Sequence, residues 1–144
     1  MKLYLGCDHA AFEAKESLKK FLMEEGHQVE DLGAPSLERC NYPDYAAAVA
    51  KKGQETGEKG ILLCGSGIGV SMVANRFKKI RAALCRTTVD AELSRQHNDA
   101  NVLCVGARIN SETEIQEITK AWFGASFEEG RHSDRIALFN NWGE

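Results

Sequence analysis

The chain has 144 residues, of which 43% are hydrophobic and 27% charged, and a formal net charge of −3. These proportions are ordinary for a soluble globular protein and suit a single core, so we expect one domain over residues 1–144. The weakly acidic charge argues against general nucleic-acid binding, which needs a basic surface. No apolar run approaches the roughly 20 residues that cross a bilayer.

The five cysteines are an odd number without C-x-x-C pairs. This pattern favours reduced thiols over a disulfide framework or a zinc site. Residues 1–6 become polar too soon for a signal peptide, so we expect a cytoplasmic protein. No group of His, Cys, Asp and Glu has metal-ligand spacing along the sequence, so we expect no metal.

Apolar periodicity predicts strands and helices that alternate along the whole chain. In chain order the predicted strands are 2–7, 27–32, 61–64, 80–85 and 101–106. The predicted helices are 10–25, 45–56, 70–75, 87–97, 111–124 and 131–141. This order predicts the α/β class: a doubly wound, five-stranded parallel sheet with helices on both faces and a helix at the C-terminal end.

Local signals mark several helix ends. Asp44 is expected to cap the second helix, Thr87-x-x-Asp90 resembles a capping box, and Ser111-x-x-Glu114 is a better one. In the first helix the charges are expected to lie opposite an apolar face made of Ala11, Ala14, Leu18, Phe21 and Leu22.

The stretch Ile61–Gly69 organises the chain. A buried strand ends in Cys64, and a loop with three glycines in five positions leads into a helix. Free N–H groups and the positive end of a helix dipole make an anion site, and such a field favours the thiolate of a nearby cysteine. The loop lacks the Lys of a P-loop, the third glycine of a dinucleotide fingerprint and the Arg of a phosphatase loop. It therefore suits a small anionic group or charge that develops during a reaction, unless it is a plain turn beside an inert cysteine.

Polar residues follow the predicted strands, and ligands of doubly wound sheets bind beyond the carboxyl ends of the strands. Asp8 and His9 follow the first strand, Arg86 the fourth and Arg108 the fifth. Asp8 or His9 could contact a ligand or merely cap the next helix. Arg108 could bind an anion or stay solvated.

Two further groups lie at helix positions. His97, before Asn98, could be a general acid or base, or only a favourable charge at a helix C-terminus. Arg131 and Arg135 share one helical face and could clamp a phosphate or remain solvated. The apolar residues of that last helix are expected to pack either on the chain's own core or on another subunit.

With these residues assembled, the chain resembles the ribose-5-phosphate isomerase B family, which includes galactose-6-phosphate and allose-6-phosphate isomerases. The matching segments span nearly the whole chain: Gly6–His9, Asn41–Tyr45, Leu63–Gly69, Ala74–Arg76, Ser94–Val102, Gly106–Arg108 and Gly130–His132. The resemblance implies a Rossmann-like subunit that interconverts ribose 5-phosphate and ribulose 5-phosphate through an enediolate, in the pentose phosphate pathway, without a cofactor. It also implies a homodimer, or a dimer of dimers, with active sites between subunits.

The resemblance also implies roles for individual residues. Cys64 matches the base and His97 the residue that opens the sugar ring. The expected contacts to substrate are Asp8 and Asn98 at sugar oxygens and His9, Arg108, Arg131 and Arg135 at the phosphate. The backbone of Gly65, Ser66, Gly67, Ile68 and Gly69 is expected to form the hole for the enediolate oxygen, and Tyr42 is expected to bind substrate.

Ser66 replaces the threonine more usual in this loop. Cys64, Asp8 and His9 favour the ribose branch over the galactose branch, while allose 6-phosphate stays open because cleft length is not fixed by sequence. A non-catalytic phosphosugar-binding module is the rival from another class, since fold does not settle function, but such a module has no need of Cys64 or His97.

Overall fold

A computed structural model describes residues 1–144 and shows the predicted alternation of strand and helix. The strands are β1 (Lys2–Cys7), β2 (Gln28–Asp31), β3 (Lys59–Cys64), β4 (Ala82–Leu84) and β5 (Val102–Gly106). The helices are α1 (Phe12–Glu24), α2 (Tyr42–Thr56), α3 (Ile68–Ala74), α4 (Thr88–Asn98), α5 (Glu112–Gly124) and α6 (Arg131–Phe139). A short 3₁₀ helix at His9–Ala11 precedes α1.

The five strands form one parallel sheet in the order β2-β1-β3-β5-β4. The register pairs Cys7 with Leu63 and Cys64 with Gly106, so β1, β3 and β5 end side by side. Because the chain first extends the sheet on one side of β1 and then on the other, the crevice of this fold lies between the carboxyl ends of β1 and β3. The predicted doubly wound fold is confirmed.

Two hydrophobic clusters cover the two faces of the sheet. In β3, Ile61 and Leu63 belong to one cluster, and Leu62 and Cys64 belong to the other. Successive side chains of a strand point to opposite faces, and both faces are buried under helices, which explains the continuous apolar run. The Cys64 side chain therefore lies on the face that α2 and α3 cover.

The prediction that the charges of the first helix lie opposite its apolar face is wrong at Lys15. Its side chain is 1% exposed and donates hydrogen bonds to the Asp31 carboxylate at 2.9 Å and the Ala34 carbonyl at 2.7 Å. A buried ammonium needs such partners, and here they come from the end of β2 and the segment after it.

Two predicted caps also differ. Asn41 rather than Asp44 is the N-cap of α2, because the helix begins at Tyr42 and Asp44 falls in its first turn. The Thr87 hydroxyl accepts from the Asp90 N–H, but the Asp90 carboxylate accepts from the Arg86 N–H, so the second half of that box is missing. At Ser111-x-x-Glu114 both halves of the capping box are present, as predicted.

The last helix leaves apolar side chains uncovered within the chain. Leu138 is 74% exposed and Trp142, just beyond the helix, is 73% exposed. Packing of Leu138 on the chain's own core is thus ruled out. None of the helices combines the length and apolarity required to cross a membrane.

Candidate functional site

A groove opens at the carboxyl ends of β1, β3 and β5. Its lining residues are Asp8, Tyr42, Cys64, Gly65, Ser66, Ile68, Gly69, Met72, Arg108 and Ile109. Eight of these ten residues are predicted from the sequence. Met72 and Ile109 are not, because their apolar side chains carry no chemical signal. The groove lies at the topological switch point, the crevice between β1 and β3 where the strand order reverses and where ligands of this fold bind.

The glycine loop turns back over Cys64. The Cys64 thiol is nearly buried and its sulfur accepts a hydrogen bond from the Gly67 N–H at 3.1 Å. Gly67 has φ +80°, and a Cβ there would lie 2.7 Å from Leu84 Cδ1 and 2.8 Å from the Val105 carbonyl carbon. Only glycine combines this left-handed conformation with such a close approach, so Gly67 fixes the loop against the sulfur.

The same loop presents unused backbone donors. The Ile68 N–H is bonded to the Ser66 hydroxyl at 3.1 Å, whereas the N–H groups of Gly65, Ser66 and Gly69 have no partner within the chain. Buried or partly buried N–H groups normally find partners, so three free ones around a groove favour an acceptor from outside the chain. A negatively charged oxygen is the acceptor that such donors bind best.

Tyr42 and Arg86 hold this loop from two sides. The Tyr42 ring lies so close to Gly69 that a Cβ on Gly69 would be 2.5 Å from the ring. The Arg86 guanidinium donates to the Ser66 carbonyl oxygen. The predicted position of Arg86 beyond the fourth strand is right, but its side chain supports the loop rather than lining the groove.

The position of Asp8 is compatible with both roles that the sequence leaves open. Its Oδ1 accepts from the Ala10 N–H at 3.0 Å, which caps the 3₁₀ helix, and Asp8 also lines the groove. His9 Nδ1 accepts from the Cys40 N–H at 3.2 Å. This bond leaves the ring proton on Nε2, so His9 keeps a donor that points away from the Cys40 backbone.

His97 and Asn98 lie at the other edge of the sheet, by which we mean the amino ends of its strands. Helix α4 runs antiparallel to its flanking strands, so its C-terminal end is beside the start of β5, about 13 Å along the strand from the Cys64 edge. Asn98 lines a separate pocket, together with Phe139 and Trp142.

At this second edge three side chains form what we call the histidine cluster: His97, Glu128 and His132. The two imidazole rings stack at 4.5 Å with 13° between their planes. Glu128 Oε1 lies 3.6 Å from His97 Nε2 and 3.7 Å from His132 Nε2. Burial first, and then the charges of His97 and Arg131, lower the pKa of His132 below its ordinary value. The sequence assigns no role to Glu128 or His132, because only the fold brings α4 with His97 against the segment that holds these two residues.

The structure thus divides the predicted site residues into two groups. The groove gathers Asp8, Tyr42, Cys64, Arg108 and the glycine loop, whereas His97, Asn98, Arg131 and Arg135 belong to the opposite edge. The predicted phosphate set is divided in the same way. The individual roles of these residues stay predictions.

The remaining thiols differ from Cys64 in position. All five cysteines are free. Burial raises the pKa of Cys7 and of Cys85 to about 11, and raises the pKa of Cys104 well above its ordinary value. These three thiols stay protonated near neutral pH and are inert core residues, and only Cys64 has its sulfur in the groove.

Comparisons with known proteins identify relatives of this chain. The model of a family described as Ribose/Galactose Isomerase matches residues 3–139. Ribose-5-phosphate isomerase B of Escherichia coli (strain K12) is 45% identical over 137 residues, which cover 94% of this chain and 91% of that protein.

Two solved structures are similar over nearly the whole chain. Ribose-5-phosphate isomerase B of Clostridium thermocellum superposes with a TM-score of 0.96 at 36% identity, covering 97% of this chain and 95% of the other. Ribose-5-phosphate isomerase B of Mycoplasma genitalium, with bound ribulose-5-phosphate, superposes with a TM-score of 0.92 at 36% identity, covering 95% and 92%.

Proposed function

We propose, from the premise that the chain belongs to the ribose/galactose isomerase family, that it interconverts ribose 5-phosphate and ribulose 5-phosphate. The observation that carries the proposal is the Cys64 sulfur at the switch-point groove, beside the free N–H groups of Gly65, Ser66 and Gly69. The relatives named ribose-5-phosphate isomerase B do not favour the allose-6-phosphate or binding-module alternatives. We place the reaction in the cytoplasmic pentose phosphate pathway.

The groove supplies what an enediolate mechanism needs. Cys64, as its thiolate, takes the proton from C2 of the open-chain aldose, and the carbonyl oxygen at C1 becomes negatively charged. Each preorganised N–H donor on that oxygen lowers the barrier by about 2.7–4 kcal/mol. The hydroxyl proton on O2 moves to O1, and the same thiol returns its proton to C1, which gives the ketose without any net oxidation.

His97 and the arginines supply the other steps. Ribose 5-phosphate is mostly a closed ring, so a general acid and base must open it, and His97 has the chemistry for this. Arg131 and Arg135 lie on the same helix as His132 and are exposed, as a phosphate clamp must be.

Because these groups lie at opposite edges of one chain, we propose that each active site combines the groove of one copy with the histidine cluster of another. Exposed apolar side chains support this arrangement: Met72 and Ile109 beside the groove, and Leu138 and Trp142 near the opposite edge. In a two-fold dimer the groove of each copy faces the histidine cluster of the other copy. A single symmetric interface therefore forms two identical sites.

The test is subunit complementation. Cys64→Ala and His97→Ala homodimers should each be inactive on ribose 5-phosphate. After mixing, unfolding and refolding together, half of the dimers are mixed and carry one intact site each, so activity should return to about a quarter of wild type. Each variant refolded alone is the control. No recovery in the mixture, with dimers of both kinds present, would contradict a site shared between copies.

Substrate choice needs a separate assay. Wild type should convert ribose 5-phosphate faster than allose 6-phosphate when the two sugars are compared side by side. A higher kcat/KM for allose 6-phosphate would reverse the assignment. Phosphosugar binding without turnover of either sugar would favour the binding module.

A further inference from the structure

The histidine cluster holds the donor set of a transition-metal site. Two imidazole nitrogens and one carboxylate oxygen, from His97, His132 and Glu128, all lie within 4.8 Å of one another. Two His and one Glu with an open fourth position is a common arrangement for zinc. Glu128 and His132 are four residues apart in the sequence. His97 lies on α4, and only the fold brings it to the other two, which is why the sequence does not reveal the full set.

The distances are close to those that a bound ion imposes. A tetrahedral zinc with ligands at about 2.0–2.1 Å holds neighbouring ligand atoms about 3.3 Å apart. Glu128 Oε1 is already 3.6 and 3.7 Å from the two Nε2 atoms. Both rings present Nε2 to the same carboxylate oxygen, so tilting the stacked rings toward each other would complete the site.

The surroundings of the histidine cluster allow a metal ion to bind without a change in the fold. The Glu128 N–H donates to the Gln96 carbonyl oxygen at 3.0 Å, which ties the carboxylate segment to the end of α4 beside His97. Neither Nε2 is used in a hydrogen bond within 3.5 Å, so no internal bond has to break.

We propose that His97, Glu128 and His132 bind Zn²⁺ and that the bound ion inhibits the isomerase. The inhibitory part rests on the proposed function, because zinc on Nε2 removes the nitrogen with which His97 would open the sugar ring. Zinc also adds two positive charges near Arg131 and Arg135, which opposes tight binding and makes the occupancy reversible.

Calorimetric titration with zinc chloride tests the site itself. All proteins carry Cys64→Ala, because a groove thiolate would also bind zinc. Glu128→Gln and His132→Gln should each weaken binding at least tenfold, and Glu129→Gln, an exposed neighbour, should leave it unchanged. Equal affinities across all variants, or no binding by the parent protein, would overturn the proposal.

A second assay tests the inhibition. Zinc should inhibit ribose 5-phosphate isomerisation by the protein with Cys64 intact, and EDTA should restore it. The zinc concentration for half inhibition should rise at least tenfold in Glu128→Gln and not in Glu129→Gln. An unchanged value in Glu128→Gln would reject inhibition through this cluster. Should the chain lack isomerase activity, the calorimetric result still decides whether the metal site exists.

Discussion

The groove and the histidine cluster are built by different physical means. The groove is fixed by backbone: its sulfur follows a buried strand, and its loop is held by the Gly67 N–H and by contacts at which a Cβ would clash. The cluster is assembled from side chains on helix ends, with its closest polar contacts at 3.6 and 3.7 Å. Proton transfer at carbon needs positions fixed to within about 0.5 Å, whereas the phosphate contacts that we propose for Arg131 and Arg135 use long exposed side chains that can adjust.

The largest expected effect follows from removing the fixed sulfur. Cys64→Ala should lower kcat on ribose 5-phosphate by about 10³-fold, because a positioned base contributes 10²–10⁴-fold. Binding of a phosphosugar, measured by calorimetry, should change little, since the phosphate contacts that we propose lie elsewhere.

The matched control is Cys85→Ala, another buried cysteine. The pKa of Cys85 is raised to about 11 by burial, so its thiol has no part in catalysis, and kcat should stay near wild type. Loss of binding together with turnover in Cys64→Ala would make Cys64 a structural cysteine and remove the contrast between the two thiols.

A second prediction concerns the anchor beneath the groove. Lys15 is buried and bonds both Asp31 and the Ala34 carbonyl, and the segment containing Ala34 pairs with the end of β1 just before Asp8. Asp31→Ala removes the closer of the two carboxylates beside this ammonium and leaves only the half-exposed Glu16 at 3.5 Å, so the free energy of unfolding should fall by about 3 kcal/mol. Urea denaturation measures this, with Asp44→Ala, an exposed carboxylate, as a control expected to stay within about 0.5 kcal/mol.

The same pair predicts a pH dependence. Burial alone would raise the pKa of Asp31, but hydrogen bonds from Lys15 and Lys19 outweigh it and hold this pKa below its ordinary value. The resulting stabilisation is complete above the unfolded pKa of about 3.9 and is lost as pH falls through the folded pKa. Stability should therefore fall less steeply below about pH 4 in Asp31→Ala than in wild type. Parallel pH curves would mean that the ion pair contributes nothing.

The groove is more predictable from the sequence than the histidine cluster, for a physical reason. Cys64, Asp8 and Arg108 follow strands, and parallel strands end at one edge, so a correct list of strands already places them together. His97 and His132 lie on helices whose docking depends on tertiary packing, which periodicity does not determine. The burial of Lys15 is not predictable for the same reason, since its hydrogen-bond partners lie 16 and 19 residues along the chain.

The smallest predicted effect concerns Arg135, which lies at the edge of the sheet that carries the histidine cluster. Arg135→Ala should raise KM for ribose 5-phosphate roughly tenfold and leave kcat nearly unchanged, because a charged hydrogen bond to phosphate contributes about 1.5–3 kcal/mol and acts far from the reacting carbons. Lys51→Ala, which removes an exposed cation from α2, should leave KM unchanged. An unchanged KM in Arg135→Ala, with the fold intact by circular dichroism, would remove Arg135 from the phosphate site. A fall in kcat as large as that of Cys64→Ala would instead mean that this edge is held as rigidly as the groove.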